Sequence, residues 1–430
     1  MLTAVAMEPL NSISRGLSLG LGLRLGEMNF RGGNGVALPA SSFKLGRGKC
    51  KWKASLNLIT NPESFQVGPL IGSYGFFNVT SYSGFESGVD YGYVADDMGK
   101  LKTQDVGEGG VNIRLYEGRI TQGSMRGTRV LFKVYPGQRA GGAEADMMAA
   151  NELSTHIFLQ SCSDETCQNL LMLLGGFETK TGEQWLAFRC ESYDGKYTAA
   201  DYAKISSEKL TKNKALDPQS FWNPFEQGQT FKRKRLFVIK MLQGIFSGLV
   251  YMHAHDRLHQ SLGPASVVLN TISEREAPYL VARLRDLAFS VDISYSSIEK
   301  GPGALSEGLW RRAITAGAYN PMEKRNFGIA DDIYEAGLLF AYLAFIPFCE
   351  TGIMDSLSLQ RLVENTFQLD LEAVREYCLA DDRLIEAVKF LDLGDGAGWE
   401  LLQAMLNPDY RKRPVATAVQ SHRFVTGVLL

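Results

Sequence analysis

Glycine is the residue type whose abundance first suggests chemistry: it fills 44 of the 430 positions. Closely spaced glycines let backbone N–H groups reach phosphate oxygens with no Cβ in the way. Two runs have such spacing, IGSYGF at 71–76 and VGEGGV at 106–111. Nine other glycines fall in the first 50 residues, where composition points elsewhere. Thiol chemistry has less support, because none of the six cysteines forms a CxxC pair. Cys162 and Cys167 stand five positions apart and read as two unpaired thiols, a redox pair being the alternative. His156, His253 and His255 have no matching cysteine or carboxylate at ligand spacing, so packing and hydrogen bonding are their expected roles. The basic run Lys232 to Arg235 reads as a solvated helix start rather than a patch for a partner.

The chain is 45% hydrophobic and 21% charged, with a net charge of −2. That balance suits a globular protein and offers no global basic field for nucleic acid or an anionic membrane. Residues 1–50 carry six basic and two acidic residues among several serines. This acid-poor, Arg- and Ser-bearing stretch predicts an organelle transit peptide, chloroplast being preferred to mitochondrion. The longest apolar stretch, Ala336 to Cys349, has fourteen residues, short of the ~20 that span a bilayer. A buried core helix is expected there.

Elements must hold these residues in place. Residues 51–104 are rich in Gly, Tyr and Phe and read as an N-terminal extension with some strand character. From about 105 to 190, RLYEGRI, TRVLFKVY and QWLAFRC are strand-like runs, interrupted by a helix over Ala143 to Gln160. Beyond about 230 helices dominate, at Leu236 to His255, Phe327 to Phe345, Trp399 to Leu406 and Val415 to Val428. Two strand-like patches intrude, at 266–270 and 279–289. The expected fold is α+β and two-lobed, a small β-rich half with one main helix followed by a larger helical half over 191–428.

That order of elements, with particular residues at its joints, resembles a eukaryotic-type protein kinase domain over 105–428. VGEGGVNIRLYEG looks like the loop over nucleotide phosphates, with Gly107 and Gly109 in place and Asn112 where a third glycine is expected. It is preferred to IGSYGF because it lies 26 residues before Lys133 rather than 61. VLFK at 130–133 resembles the strand of the phosphate-binding lysine, Lys133, with Glu152 as its helix partner and Glu144 as the alternative. HQSLGPAS at 259–266 resembles the catalytic loop HRDLKPxN: His259, Leu262 and Pro264 hold their places. Gln260 replaces the arginine, Ser261 the catalytic aspartate, Gly263 the lysine, and Ser266 the metal-binding asparagine. RDLAF at 285–289 stands where DFG does, leaving Asp286 as a Mg²⁺ ligand and ATP as the cofactor that the family implies. Further on, Asp332 is expected to hold the catalytic-loop backbone, and Glu323 to pair with Arg413.

The resemblance therefore implies a fold whose architectural residues are kept and whose reaction chemistry is lost. It reads as a pseudokinase, a binding, scaffolding or nucleotide-sensing module with a protein partner. The alternative is an atypical serine/threonine kinase using Lys133, Glu152 and Asp286 with one Mg²⁺.

Overall fold

The computed structural model describes residues 58–76, 111–162, 167–190, 197–216 and 224–427. The targeting segment expected at 1–50 lies outside these residues, as do Gly107 and Gly109. The smaller lobe is a five-stranded antiparallel sheet: β1 (Phe65–Phe76), β2 (Val111–Ile120), β3 (Arg129–Tyr135), β4 (Leu173–Glu178) and β5 (Gln184–Arg189). The strand order is β1-β2-β3-β5-β4, with α1 (Gln138–Ser161) packed beneath it.

The first strand corrects the boundary expected at 105. Phe65–Phe76 lies within the supposed extension, yet it pairs along β2 from Phe65 opposite Ile120 to Phe76 opposite Val111. Its glycines and proline obscure the period of two that marks a strand, and register shifts interrupt its pairing between Val67 and Gly72. IGSYGF is thus strand.

The residues before β1 tie the sheet together. Ile59 N donates to Leu174 O at 3.0 Å, and Gly176 N donates to Ile59 O at 2.9 Å. This strap therefore lies on β4, at the opposite edge from β1. Gly175 permits the approach, because a Cβ there would strike the Ile59 backbone. A short turn, Pro62–Ser64, capped by Asn61, then leads into β1. Phe65 packs edge-on against Phe132 at 5.4 Å and lies 5.9 Å from Phe177 of β4. Val130, Phe132 and Val134 of β3 share that apolar layer with Phe65. Tyr135, in the alternate phase, joins the layer against α1.

The larger lobe is helical, with α2 (Ala199–Leu216), α3 (Pro224–Ala254), α4 (Tyr295–Glu299), α5 (Glu307–Thr315) and α6 (Pro321–Phe345). Five more helices close it: α7 (Ser356–Arg361), α8 (Leu371–Leu379), α9 (Ile385–Leu391), α10 (Leu393–Met405) and α11 (Ala416–Ser421). Short strand pairs sit at the lobe junction, β6 (Arg257–Leu258) with β9 (Val291–Asp292), and β7 (Val267–Leu269) with β8 (Ala282–Leu284). Phe237, Leu242, Ile245, Phe246, Leu249 and Met252, the apolar surface expected of α3, are all buried. They meet α6, whose residues from Phe327 to Phe345 are nearly all buried. Gly228–Ala254 is long and apolar enough to cross a membrane, but 67% of its apolar window is buried inside the fold.

The basic run departs from expectation. It lies well inside α3, and Lys234 is buried with Nζ donating to Pro347 O at 2.7 Å. The Phe231 and Phe348 rings flank it, and burial pushes its pKa down to about 8. Lys232 and Arg233 remain exposed. Cys162 and Cys167 are not joined in a disulfide.

Candidate functional site

β3, α1 and the turn after β8 converge on one buried ion cluster. Lys133 is in mid-strand, opposite Leu115 on β2 and Leu186 on β5, so the sheet sets the direction of its side chain. Its Nζ lies 2.7 Å from Glu152 Oε2 and 2.7 Å from Asp286 Oδ1. Glu152, not Glu144, is thus the helix partner, and Tyr135 Oη donates to the same Glu152 oxygen. Asp286 follows β8 with φ of 67°, a left-handed conformation uncommon outside glycine. Arg285 Nε lies 3.2 Å from its other oxygen, Oδ2. Two cations and two carboxylates thus meet where water is nearly excluded.

Mutual charge fixes their protonation. Burial alone would raise the pKa of Asp286, but Lys133 and Arg285 hold it well below the usual carboxylate range. Burial would likewise lower that of Lys133, but Asp286 and Glu152 raise it well above the ordinary value. Lys133 and Asp286 therefore stay charged across the physiological range, each through its neighbours.

Sequence reasoning missed a fifth member, Tyr74 of β1. It is buried, and its Oη donates to Asp286 Oδ1 at 2.8 Å. The Lys133 ammonium and the Arg285 guanidinium lie 5.8 and 5.5 Å from its ring centroid. Burial first, then the Asp286 charge, raises its pKa far above the ordinary phenol value, so it acts as a neutral donor. The signal lay in IGSYGF, where an aromatic stands amid glycines at strand phase.

The loop at 259–266 is held from α6. Asp332 Oδ2 accepts from His259 N at 2.8 Å, and Oδ1 accepts from Gln260 N at 3.0 Å. That is the architectural role expected of it, and His253 Nε2 adds a contact at 2.9 Å. Gln260 stands at φ of 58°, and its amide reaches Asp331 and Asp332. Ser261 is buried, with Oγ donating to the Asp286 carbonyl oxygen at 2.6 Å. Ser266 Oγ donates to Gly263 O at 2.8 Å and accepts from Gly263 N at 3.0 Å. Both hydroxyls are committed to nearby backbone.

The turn after Asp286 is rigid in its own way. Leu287–Phe289 is a 3-10 turn, so Ala288 avoids the left-handed region that its Cβ disfavours. Asn151 of α1 donates to Ala288 O at 2.8 Å and to Ser290 O at 2.9 Å. These bonds fasten the helix bearing Glu152 to the segment bearing Asp286. The Glu323–Arg413 pair is not formed. Glu323 accepts from Tyr319 N and Asn320 N as the N3 member of a capping box on α6. Arg413 instead donates to Asn407 O and Ala330 O.

His156, one turn beyond Glu152, stacks edge-on against Phe188 at 5.0 Å. Burial, then the Lys133 charge, lowers its pKa to about 3 from an ordinary 6.5. Below pH 6.5 the unfolded chain binds a proton that the native histidine refuses, so native stability must fall as pH drops toward 3. The expected slope is about 1.4 kcal/mol per pH unit. Urea unfolding from pH 7 to 4 should show it, and His156→Leu should flatten it; an unchanged slope would refute the assignment.

The sequence suggested Asp286 as a magnesium ligand, and its surroundings do not fit one. Mg²⁺ needs oxygen ligands in a near-octahedral shell. Both Asp286 oxygens instead face donors of the chain itself, the cations Lys133 and Arg285 and the Tyr74 hydroxyl. The Ser266 hydroxyl is bound to Gly263.

No family model and no curated protein matches the chain. Among solved structures, a Stt7 homolog from Micromonas algae, in crystals soaked with ATP, aligns with a TM-score of 0.51. The alignment covers 85% of this chain and 93% of that one at 16% sequence identity. The chain has a protein-kinase-like fold. Within that kinase-like fold the buried Lys133–Glu152–Asp286 cluster lies between the sheet lobe and the helical lobe, and the 259–266 loop closes it from below.

Proposed function

We propose that this chain is a catalytically impaired kinase-like domain that acts as a binding or scaffolding module for a protein partner, in an organelle. The observation carrying this reading is Ser261, at the position of the catalytic aspartate. A serine hydroxyl cannot accept a proton from a substrate hydroxyl near neutral pH. Here it is also committed to the Asp286 carbonyl oxygen at 2.6 Å. Phosphoryl transfer depends on positioning and charge neutralisation. The sequence lacks the aspartate, the lysine at Gly263 and the second metal ligand at Ser266.

A second reading, an atypical serine/threonine kinase, is favoured by the intact Lys133–Glu152 pair. It would draw on ATP, the compound with which the Micromonas structure was soaked. It requires the Asp286 carboxylate to exchange protein donors for a metal. Incubation of the full chain with radiolabelled Mg-ATP and generic protein substrates separates the two. The expected result is no transfer above background, in the wild type and in Ser261→Asp alike, because the aspartate alone restores neither missing metal ligand nor lysine. Transfer that Lys133→Met abolishes would establish the second reading. Targeting to the chloroplast rests on residues 1–50, and a reporter fused to residues 1–60 that stays in the cytosol would defeat it.

A further inference from the structure

We propose that Tyr74 is a built-in plug, which competes with Mg-nucleotide for Asp286 and Lys133 and keeps the cleft closed in the absence of another stimulus. Tyr74 Oη and Lys133 Nζ converge on a single carboxylate oxygen, at 2.8 and 2.7 Å. Arg285 takes the other oxygen. The Tyr74 ring is enclosed with Val111, Ile113, Tyr135, Met148 and Phe289, so the phenol occupies volume as well as hydrogen-bonding capacity. A hydrated cation and a polyphosphate chain need both.

The charges point the same way. With or without the neutral phenol, Lys133 and Arg285 are balanced by Glu152 and Asp286, so the quartet has no surplus positive charge to offer a bare anion. Without the phenol, Asp286 Oδ1 loses a donor and gains a free face, and the two cations stand beside a vacated volume. A nucleoside triphosphate brought in with its divalent cation supplies both the positive charge for Asp286 and the negative charge for Lys133.

The plug sits on the C-terminal half of an edge strand, beyond the Phe65 end that Phe132 and Phe177 hold. β1 pairs with β2 only and forms one edge of the sheet. Its pairing is irregular between Val67 and Gly72, just before Tyr74. Val67 and Leu70 are exposed, so little apolar burial holds that stretch, and edge segments of this kind open at lower free energy than a sheet's centre. Peeling β1 leaves β2, β3, β5 and β4 paired.

A closed cleft lowers apparent affinity by the fraction of molecules that are open. Isothermal titration of the full chain with Mg-ATP should therefore find weak or no binding in the wild type. Tyr74→Ala should bind at least about tenfold more tightly, and adding Asp286→Asn to it should abolish the gain. Tyr74→Phe, which keeps the ring and loses only the hydroxyl, should give a smaller gain and guards against an alanine variant that does not fold. Equal affinity in wild type and Tyr74→Phe, or a folded Tyr74→Ala that binds no Mg-ATP, would overturn the plug. The outcome is separable from the proposed loss of catalysis. Phosphate transfer by Tyr74→Ala would defeat that reading and leave the plug standing, whereas failure to bind would do the reverse.

Discussion

Asp286→Asn should destabilise the protein by about 3–5 kcal/mol, the usual effect of removing one partner from a buried ion pair. Asp286 is fully buried, and its carboxylate is the shared acceptor for Lys133, Arg285 and Tyr74. The neutral amide would leave two buried cations facing one carboxylate, Glu152. It would also turn an N–H₂ group toward groups that now donate to a carboxylate oxygen. Urea unfolding at neutral pH measures the loss. Lys133→Met combined with Asp286→Asn should be markedly less harmful than the sum of the single changes, because removing both charges relieves the imbalance. A loss below 1 kcal/mol, or strict additivity, would show that the cluster is not energetically coupled. In the native protein this stabilisation exists above the ordinary Asp pKa and disappears as pH falls through the depressed native value. Its loss in strong acid therefore adds to that from His156.

Asp332→Ala should be comparably damaging, through hydrogen bonding rather than charge pairing. Its carboxylate accepts from two consecutive backbone amides, His259 N and Gln260 N, from the Gln260 side chain, and meets His253. A buried donor left without a partner costs about 1–3 kcal/mol, so the two amides together imply about 2–6 kcal/mol, while the Gln260 side chain keeps Asp331. The loop would lose the tether that holds Gln260 at positive φ. Asp332→Asn, which keeps one oxygen acceptor, should recover part of the loss. Amide hydrogen exchange at 259 and 260 provides a local readout. Protection should fall sharply at those two positions in Asp332→Ala, and unchanged protection would show that another group satisfies them.

The parts of the fold that proved legible were those with a strong period or a strong motif. Lys133 lies in an unbroken β-branched and aromatic run, so its strand was plain, and the register across β2 and β5 follows the same alternation. The apolar face of α3 carries its own period, and all six residues picked out there are buried. Asp332 was identifiable because its motif specifies an interaction with backbone, which any loop sequence can supply. The misjudged parts lack such signals. β1 contains glycines and a proline, and is a strand because β2 pairs with it rather than because its side chains alternate. Lys234 sits in a run of four basic residues that looks solvated. It is buried because Pro347, more than a hundred residues later, presents a carbonyl oxygen to it. Glu323 occupies a position where one residue type serves two purposes, and the local cap on α6 is formed in preference to a distant ion pair.

The α+β, two-lobed order of elements and the Asp332 tether on the 259–266 loop were legible along the chain. Both are properties of residue types along one dimension. What fills the space between the lobes depends on packing in three dimensions. Tyr74 and Asp286 are 212 positions apart, and no local pattern records that a phenol from an edge strand meets the carboxylate. That contact arises because β1 joins β2 in a particular register while α1 fastens the Asp286 turn beneath the sheet. IGSYGF, the glycine-rich run set aside as a phosphate cradle, instead delivers the side chain that meets Asp286.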